Sequence, residues 1–181
     1  VTIKSENDKK YFITYNDPRR FGYIDLFNKK EINEHFLLKK LGVEPFEKNF
    51  NVGYLQKVFN KKIKCIKDTL MDQSIIAGIG NIYASEILFK AKVNPHRSVK
   101  TLNDKEIKSI IRATREILKK SINVGGTTLQ NHFQPNGKLG YFFQNLEVYG
   151  KKNKICNKCK CSISVAIISN RSTFFCNSCQ I

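Results

Sequence analysis

The sequence lacks any apolar run of about eighteen residues, the shortest length that typically spans a membrane. Its first residues, Val1-Thr2-Ile3-Lys4, do not have the charged and apolar pattern of a signal peptide. From these two features we expect neither a membrane-spanning helix nor a secretory leader. We therefore expect a soluble, intracellular protein that makes no use of a membrane.

Acidic residues are scarce. Fifteen Asp and Glu stand against 32 Lys and Arg, which gives a net charge of +17, while 41% of the residues are apolar. A chain this basic that can still form a core is typical of a folded protein that binds a polyanion, with nucleic acid as the first candidate. An alternative stays open, because an AT-rich genome raises the lysine content of a protein without any ligand.

Four of the six cysteines form two C-x-x-C pairs near the end of the sequence, separated by residues 160–175: Cys156, Cys159, Cys176 and Cys179. This spacing predicts a zinc ribbon with one structural Zn²⁺, in which four thiolates leave no open position for a water. Disulfides or redox-active pairs are the alternative, disfavoured in a lysine-rich chain without a signal peptide. Of the other two cysteines, we expect Cys65 to be buried, and Cys161 is close enough to Cys159 in sequence to compete with it as a ligand.

The first residues are typical of β-strands. Val1–Ser5 and Tyr11–Tyr15 are separated by a polar turn and predict an antiparallel hairpin, and Phe21–Phe27 predicts a third strand. Three strands cannot cover both faces of their own sheet. We therefore expect further strands of this sheet to lie outside the sequence.

A turn of unusual composition, Asp17-Pro18-Arg19-Arg20-Phe21-Gly22, lies between the second and third predicted strands. Asp, Pro and Gly are ordinary turn residues, so turn chemistry alone explains half of this segment. It does not explain Arg19, Arg20 and Phe21. Two guanidinium groups beside an exposed aromatic ring are suited to entering a base stack and holding the neighbouring phosphates.

The pattern becomes helical from about residue 51 to residue 122. Ile63, Ile66, Leu70 and Met71 predict a short helix that ends near Asp72. The segment Gln73–Asn81 contains two glycines, and we expect Asn81 to cap a second helix over Ile82–Lys90. Backbone N–H groups and an amide at such a double turn can bind a phosphate, although the same pattern also occurs in a plain helix hairpin.

A longer helix is predicted after Asn103, with Glu106 completing a capping box. Its apolar stripe comprises Ile107, Ile110, Ile111, Ile117, Leu118 and Ile122. The cations outside the stripe predict a solvated face: Lys105, Lys108, Arg112, Arg115 and Lys119. Leu129–Gly140 follows as a long loop, which is typical of a functional or mobile segment.

These motifs together resemble formamidopyrimidine-DNA glycosylase in order and spacing over nearly all of the sequence. The resemblance rests on Asp17–Gly22, Leu41-Gly42 with Glu44-Pro45, Asp72–Glu86, Gly125–Thr128, Gly137–Phe142, Val148–Gly150 and the four cysteines. It implies an α+β protein with the C-terminal part of a β-sandwich (residues 1–48), a helix–two-turns–helix domain (49–148) and a zinc ribbon (149–181). The sequence is more similar to this family than to its endonuclease VIII relatives, because the Thr127–Phe142 segment resembles the loop that covers an extruded oxidised purine in the former.

The resemblance also assigns functional residues. Asn81 and Arg171 would hold the phosphates around a flipped nucleotide, and Tyr149 would make a further phosphate contact. Arg19 and Phe21, with Arg20 beside them, would fill and wedge the vacated base stack. Lys138 would belong to a loop that covers the lesion.

The implied function is base-excision repair in a bacterial cytoplasm, at the nucleoid, by a monomer that acts on double-stranded DNA with oxidised purines. The family's nucleophile is an N-terminal proline beside a glutamate, and Val1-Thr2-Ile3 resembles an internal strand instead. We therefore expect that nucleophile upstream of Val1 and this chain alone to be inactive. The alternative is a non-catalytic DNA-binding protein that contains zinc.

Overall fold

A computed structural model describes residues 2–4, 10–12, 14–15, 17, 20–127 and 142–181 of the 181-residue chain. The chain forms two compact units, Val1–Leu38 and Lys39–Ile181. The domain boundaries that the sequence suggests at 48/49 and 148/149 stay predictions. Among the described residues, no helix is both long enough and apolar enough to cross a membrane.

The first unit contains an antiparallel hairpin of β1 (Thr2–Lys4) and β2 (Lys10–Phe12), in which Ile3 faces Tyr11. The expected hairpin is thus present. A short 3₁₀ helix follows at Lys29–Glu34, capped by the side chain of Asn28.

The third strand expected at Phe21–Phe27 was a wrong prediction, because these residues adopt no regular structure. The Asp25 carboxylate accepts hydrogen bonds from the Leu26 N–H (2.8 Å) and pairs with Nε2 of His35 (2.9 Å). Such local bonds between side chain and backbone compete with the strand ladder. The apolar side chains at Tyr23, Ile24 and Leu26 are consequently exposed.

The described part of the second unit contains four α-helices: α1 (Val52–Phe59), α2 (Ile66–Met71), α3 (Asn81–Ala91) and α4 (Asp104–Asn123). Short 3₁₀ helices lie at Val99–Thr101 and Phe142–Asn145. The helices enclose one apolar core, which includes Leu55, Ile66, Leu70, Ile87 and Ile110. The chain ends in a hairpin of β3 (Ser164–Ile168) and β4 (Arg171–Phe175).

The sequence pattern assigns two exposed residues, Ile63 and Ile122, to the buried faces of helices. Ile63 precedes α2 and is 87% exposed, so it does not belong to the core. Ile122 lies in the last turn of α4, next to the buried Ser121, and is 66% exposed. The capping box of Asn103 and Glu106 is confirmed, with Asn103 Oδ1 accepting from the Glu106 N–H at 3.0 Å.

Arg115 of α4 does not belong to a solvated face as expected. Its Nε donates to the Pro45 carbonyl (3.0 Å), and its Nη2 donates to the carbonyls of Glu47 (3.1 Å) and Phe50 (2.9 Å). A guanidinium carries five donors in a fixed plane, so it can satisfy several backbone acceptors at once. Arg115 therefore fixes the turns of residues 45–50 against α4.

Gly42 is required by a close approach of two backbones. Its N–H donates to the Gln73 carbonyl at 2.8 Å, and an added Cβ would lie 2.2 Å from the backbone of Ile75. Val43 then forms a parallel bridge with Ile76. The Leu41-Gly42 motif thus holds the loop between α2 and α3 in place.

Candidate nucleic-acid interface

The loop between α2 and α3 is held by polar side chains at its start. The Asp72 carboxylate accepts from the N–H of Ser74 at 3.1 Å. Gln73 donates to the Ile79 carbonyl at 3.0 Å and accepts from the Gly78 N–H at 2.8 Å. Gly78 has a φ of 84°, which a residue with a Cβ seldom adopts. The loop is therefore a defined double turn that delivers the chain to the start of α3.

Asn81 does not cap α3, contrary to the sequence prediction. The N-cap is Gly80, whose backbone is extended and whose side chain is absent, so Asn81 is the first residue of the helix. The first turn accordingly has no side-chain cap. Backbone N–H groups in a first turn without a cap are available to an anion, which the helix dipole favours as well.

The Asn81 amide is oriented by two opposite contacts. Its Oδ1 accepts from Nζ of Lys67 at 2.5 Å, and its Nδ2 donates to the Ser172 carbonyl at 2.9 Å. The carbonyl oxygen is thus turned towards the lysine, and the NH₂ group keeps a second hydrogen for another acceptor. This orientation suits a donor to phosphate.

Lys67 orients Asn81, and sequence patterns did not identify it as a functional residue. It is 1% exposed, and its Nζ also donates to Oγ1 of the buried Thr173 at 3.1 Å. Burial, with a smaller contribution from Arg171, lowers the pKa of Lys67 to about 8. The amine therefore keeps its charge at neutral pH and places it beneath Asn81. One feature of the sequence could have indicated that Lys67 is buried: it lies between the apolar Ile66 and Leu70 of a short helix.

Arg171 is exposed at the start of β4, directly after a tight turn at Ser169 and Asn170. Both turn residues have positive φ, at 48° and 59°, as two-residue hairpin turns require. Arg171 adjoins Ser172, which accepts from Asn81. The structure therefore brings together the two residues expected to bind phosphate, although they are 90 positions apart in the sequence.

Tyr149 lies on the ribbon and is half-buried against Phe174, with ring centroids 4.9 Å apart. Its N–H and those of Glu147 and Val148 all donate to the Glu86 carboxylate, at 2.8–2.9 Å. Burial raises the pKa of Glu86, while these three N–H groups oppose the shift. Glu86 of α3 thus binds the backbone of the segment that contains Tyr149. Sequence patterns did not identify Glu86 as a functional residue.

Lys138 and most of the expected lesion loop lie outside the described residues. The two ends of that segment are described, however, and they meet. The Phe142 N–H donates to the Gly126 carbonyl at 3.1 Å, and the Tyr83 hydroxyl contacts Oγ1 of Thr127 at 3.0 Å. The segment between them therefore begins and ends beside the first turns of α3.

The turn expected to act as a wedge belongs to the first unit. Arg19 lies outside the described residues, whereas Arg20 and Phe21 are exposed, Phe21 by 83%. The Asp17 carboxylate accepts from the Gly22 N–H at 2.5 Å and from the Tyr15 hydroxyl at 3.1 Å. The described ends of this turn are therefore hydrogen-bonded to each other, and the role of Arg19, Arg20 and Phe21 stays a prediction.

The four cysteines of the two C-x-x-C pairs converge at one point. The sulfur atoms of Cys156, Cys159, Cys176 and Cys179 lie within 4.8 Å of one another, and all six cysteines are free thiols. A tetrahedral zinc with bonds of about 2.3 Å places its sulfur ligands about 3.8 Å apart. Four thiolates at this spacing fit a structural Zn²⁺, so the predicted ligand set is confirmed. Cys161 is exposed and is not part of the cluster.

The ribbon has little apolar core of its own. Cys156, Cys176 and Ile163 pack with Val148 and with Phe89 from α3. Because so few apolar groups are buried, metal binding must supply most of the free energy that folds the ribbon.

We expect one zinc per chain, and we expect a chelator to unfold residues from about Tyr149 onward. Cys156→Ser should abolish stoichiometric zinc, whereas the matched Cys161→Ser should retain it. Elemental analysis measures the zinc, and hydrogen exchange of the β3–β4 amides measures the fold. Protected amides in a metal-free chain would contradict the expectation.

Comparisons with known proteins agree with this geometry. A sequence model of the formamidopyrimidine-DNA glycosylase H2TH domain matches residues 41–132, just over half of the chain. The formamidopyrimidine-DNA glycosylase of Zymomonas mobilis is 43% identical over 175 residues, which cover 97% of this chain and 64% of the relative. That of Bartonella quintana is 42% identical over 187 residues, covering 99% and 64%. The chain thus spans slightly less than two thirds of the length of these two relatives.

Solved structures show the same similarity. The MutM (Fpg) protein of Thermus thermophilus superposes with a TM-score of 0.85 at 34% identity, covering 99% of this chain and 67% of that one. MutM in complex with DNA that contains carbocyclic 8-oxo-G gives a TM-score of 0.82 at 34% identity, covering 91% and 60%. On the matched H2TH domain, the cysteine cluster and these similarities, the chain belongs to the formamidopyrimidine-DNA glycosylase family.

Proposed function

We propose that this chain binds double-stranded DNA as part of a base-excision repair enzyme that removes oxidised purines and then nicks the strand. The observation that carries the proposal is the junction of Asn81 and Arg171. These residues come from distant parts of the sequence, and the hydrogen bond from the Asn81 amide to the Ser172 carbonyl brings the start of α3 next to the residue that follows Arg171. The relatives are formamidopyrimidine-DNA glycosylases, and the solved structure of one MutM protein contains DNA with carbocyclic 8-oxo-G.

Phosphate binding at this junction follows from its donors. The first turn of α3 offers backbone N–H groups, Asn81 offers an amide hydrogen, and Arg171 offers a guanidinium that can bind a phosphate with two hydrogen bonds. The buried Lys67 ammonium orients the Asn81 amide for this contact. Donors of this kind grip the backbone of DNA without reading its sequence, as an enzyme that searches for lesions requires.

The flipped base would be received beside this junction. The loop that contains Lys138 would cover the base, because its described ends, Thr127 and Phe142, both contact Tyr83 in the first turn of α3. Arg19, Arg20 and Phe21 would fill the gap left in the duplex. An aromatic side chain in the vacated stack offsets part of the few kcal/mol that unstacking a base costs.

The chemistry of the whole protein is part of the same proposal. In the family that this chain resembles, a secondary amine attacks the sugar C1′, the glycosidic bond breaks, and its electrons leave with the base. The resulting Schiff base then allows elimination of the 3′ phosphate. We propose that this amine is not among residues 1–181, which contribute the phosphate junction, the lesion loop and the wedge.

We expect Asn81→Ala and Arg171→Ala each to weaken duplex binding by about 1.5–3 kcal/mol, independently of DNA sequence, because each removes a hydrogen bond to a charged phosphate. Arg171→Ala should also reduce the slope of log K against log salt by about one, because one fewer counterion is released. Asn81→Ala should leave that slope unchanged. Fluorescence anisotropy with labelled duplexes over a range of salt concentrations measures both quantities.

Arg112→Ala is the matched control, because Arg112 is an exposed arginine on α4 and lies away from the junction. It should leave the affinity unchanged. Equal salt slopes for Asn81→Ala and Arg171→Ala would contradict the assignment of the charge to Arg171 alone.

Borohydride trapping tests the catalytic part of the proposal. The 181-residue chain should give no covalent adduct with a duplex that contains an oxidised purine. The same chain fused to the N-terminal segment of a relative, with its proline exposed, should give one, because reduction fixes the Schiff base. An adduct from the 181-residue chain itself would show that Val1 or a lysine acts as the amine. An unreactive fusion that still binds lesion DNA would favour the non-catalytic alternative.

A further inference from the structure

A groove of about 710 Å³ lies between α4 and the turns that precede α1. Its floor is apolar, formed by the buried Phe50 and Ile111 with the half-buried Val52. Phe46 stands at its edge and is 52% exposed. A concave apolar floor beside an exposed aromatic ring is the form of a site that receives an apolar anchor.

The groove is preformed. Arg115 binds three backbone carbonyls, those of Pro45, Glu47 and Phe50, and so holds one wall against α4. Its guanidinium also lies 5.8 Å from the centroid of the Phe50 ring. A wall tied in this way does not have to be ordered when a ligand binds, which lowers the cost of binding.

The rim of the groove is positive. Lys48, Lys108 and Arg112 all line it and are exposed. Of the two carboxylates at the rim, Glu116 pairs with Lys90 at 2.9 Å and also lies 3.9 Å from Nε of Arg112, whose side chain is largely exposed. An incoming ligand therefore meets Lys48, Lys108 and Arg112 against the carboxylate of Glu47 and a Glu116 that Lys90 already neutralises.

We propose that this groove binds an acidic peptide segment of a partner protein, one that carries aromatic or aliphatic anchors between Asp or Glu residues. The anchors occupy the floor beside Phe46 and Phe50, and the acidic residues pair with Lys108 and Arg112. The complementary charges favour this occupant. A nucleic acid fits less well, because its charged backbone carries no apolar anchor and would leave the apolar floor uncovered.

The groove is separate from the junction of Asn81 and Arg171 that is proposed to bind phosphate. The junction is at the first residue of α3, whereas Lys90, which pairs with Glu116 at the groove, is in the last turn of that helix. Nine residues of helix separate the two points by about 14 Å along its axis. A bound peptide and bound DNA can therefore be measured independently.

The probe is a short fluorescein-labelled peptide in which two phenylalanines are flanked by glutamates, titrated with the zinc-loaded chain and followed by anisotropy. We expect saturable binding that weakens with salt. Lys108→Glu and Phe46→Ser should each weaken it by about tenfold. Lys119→Glu, the same charge reversal at an exposed position of α4 outside the groove, should leave it unchanged, and duplex DNA affinity should be unchanged in all three variants.

Two companion peptides complete the design, one with the phenylalanines replaced by serine and one with the glutamates replaced by glutamine. Both should bind more weakly than the parent peptide. The proposal is overturned if Lys108→Glu and Lys119→Glu weaken binding equally, since that indicates nonspecific charge attraction. It is also overturned if the phenylalanines make no difference, or if Lys108→Glu weakens duplex binding instead, which would assign the groove to nucleic acid.

Discussion

Lys67 carries a positive charge into a place where water does not reach, and the rest of the junction depends on how that charge is satisfied. The ammonium donates to Asn81 Oδ1 and to Thr173 Oγ1, which belong to α3 and to β4. A buried charge without partners costs several kcal/mol, so α2, α3 and the ribbon must keep this arrangement. One lysine thereby orients the Asn81 amide and links the start of α3 to β4.

The zinc ribbon completes this arrangement from the other side. The four cysteines hold the base of the ribbon, and the turn at Ser169 and Asn170 presents Arg171 at its tip. Glu86 attaches the segment before the ribbon to α3 through three backbone hydrogen bonds. The metal therefore has no chemical part in the proposed reaction and acts by placing Arg171 next to Asn81.

Sequence patterns predicted the parts of this structure that rest on local rules. The cysteine spacing, the capping box at Asn103 and the double turn before α3 were all evident, because each depends on a few neighbouring residues. Lys67, Glu86 and Arg115 were not found, because their partners are distant in sequence and their burial appears only in the folded chain. The strand at Phe21–Phe27 failed for a related reason: its β-propensity is real, but a strand needs a partner, and the local bonds of Asp25 prevailed.

We expect Lys67 to affect DNA binding by orienting Asn81, and a double-mutant cycle separates this effect from an independent contribution of the lysine. Duplex affinity is measured by anisotropy for zinc-loaded Lys67→Met, Asn81→Ala and the double variant, with exposed Lys61→Met as the control. If Lys67 orients Asn81, the double variant binds no more weakly than Asn81→Ala alone, and zinc is retained throughout. Additive losses in the double variant would show that Lys67 contributes independently and would contradict the account.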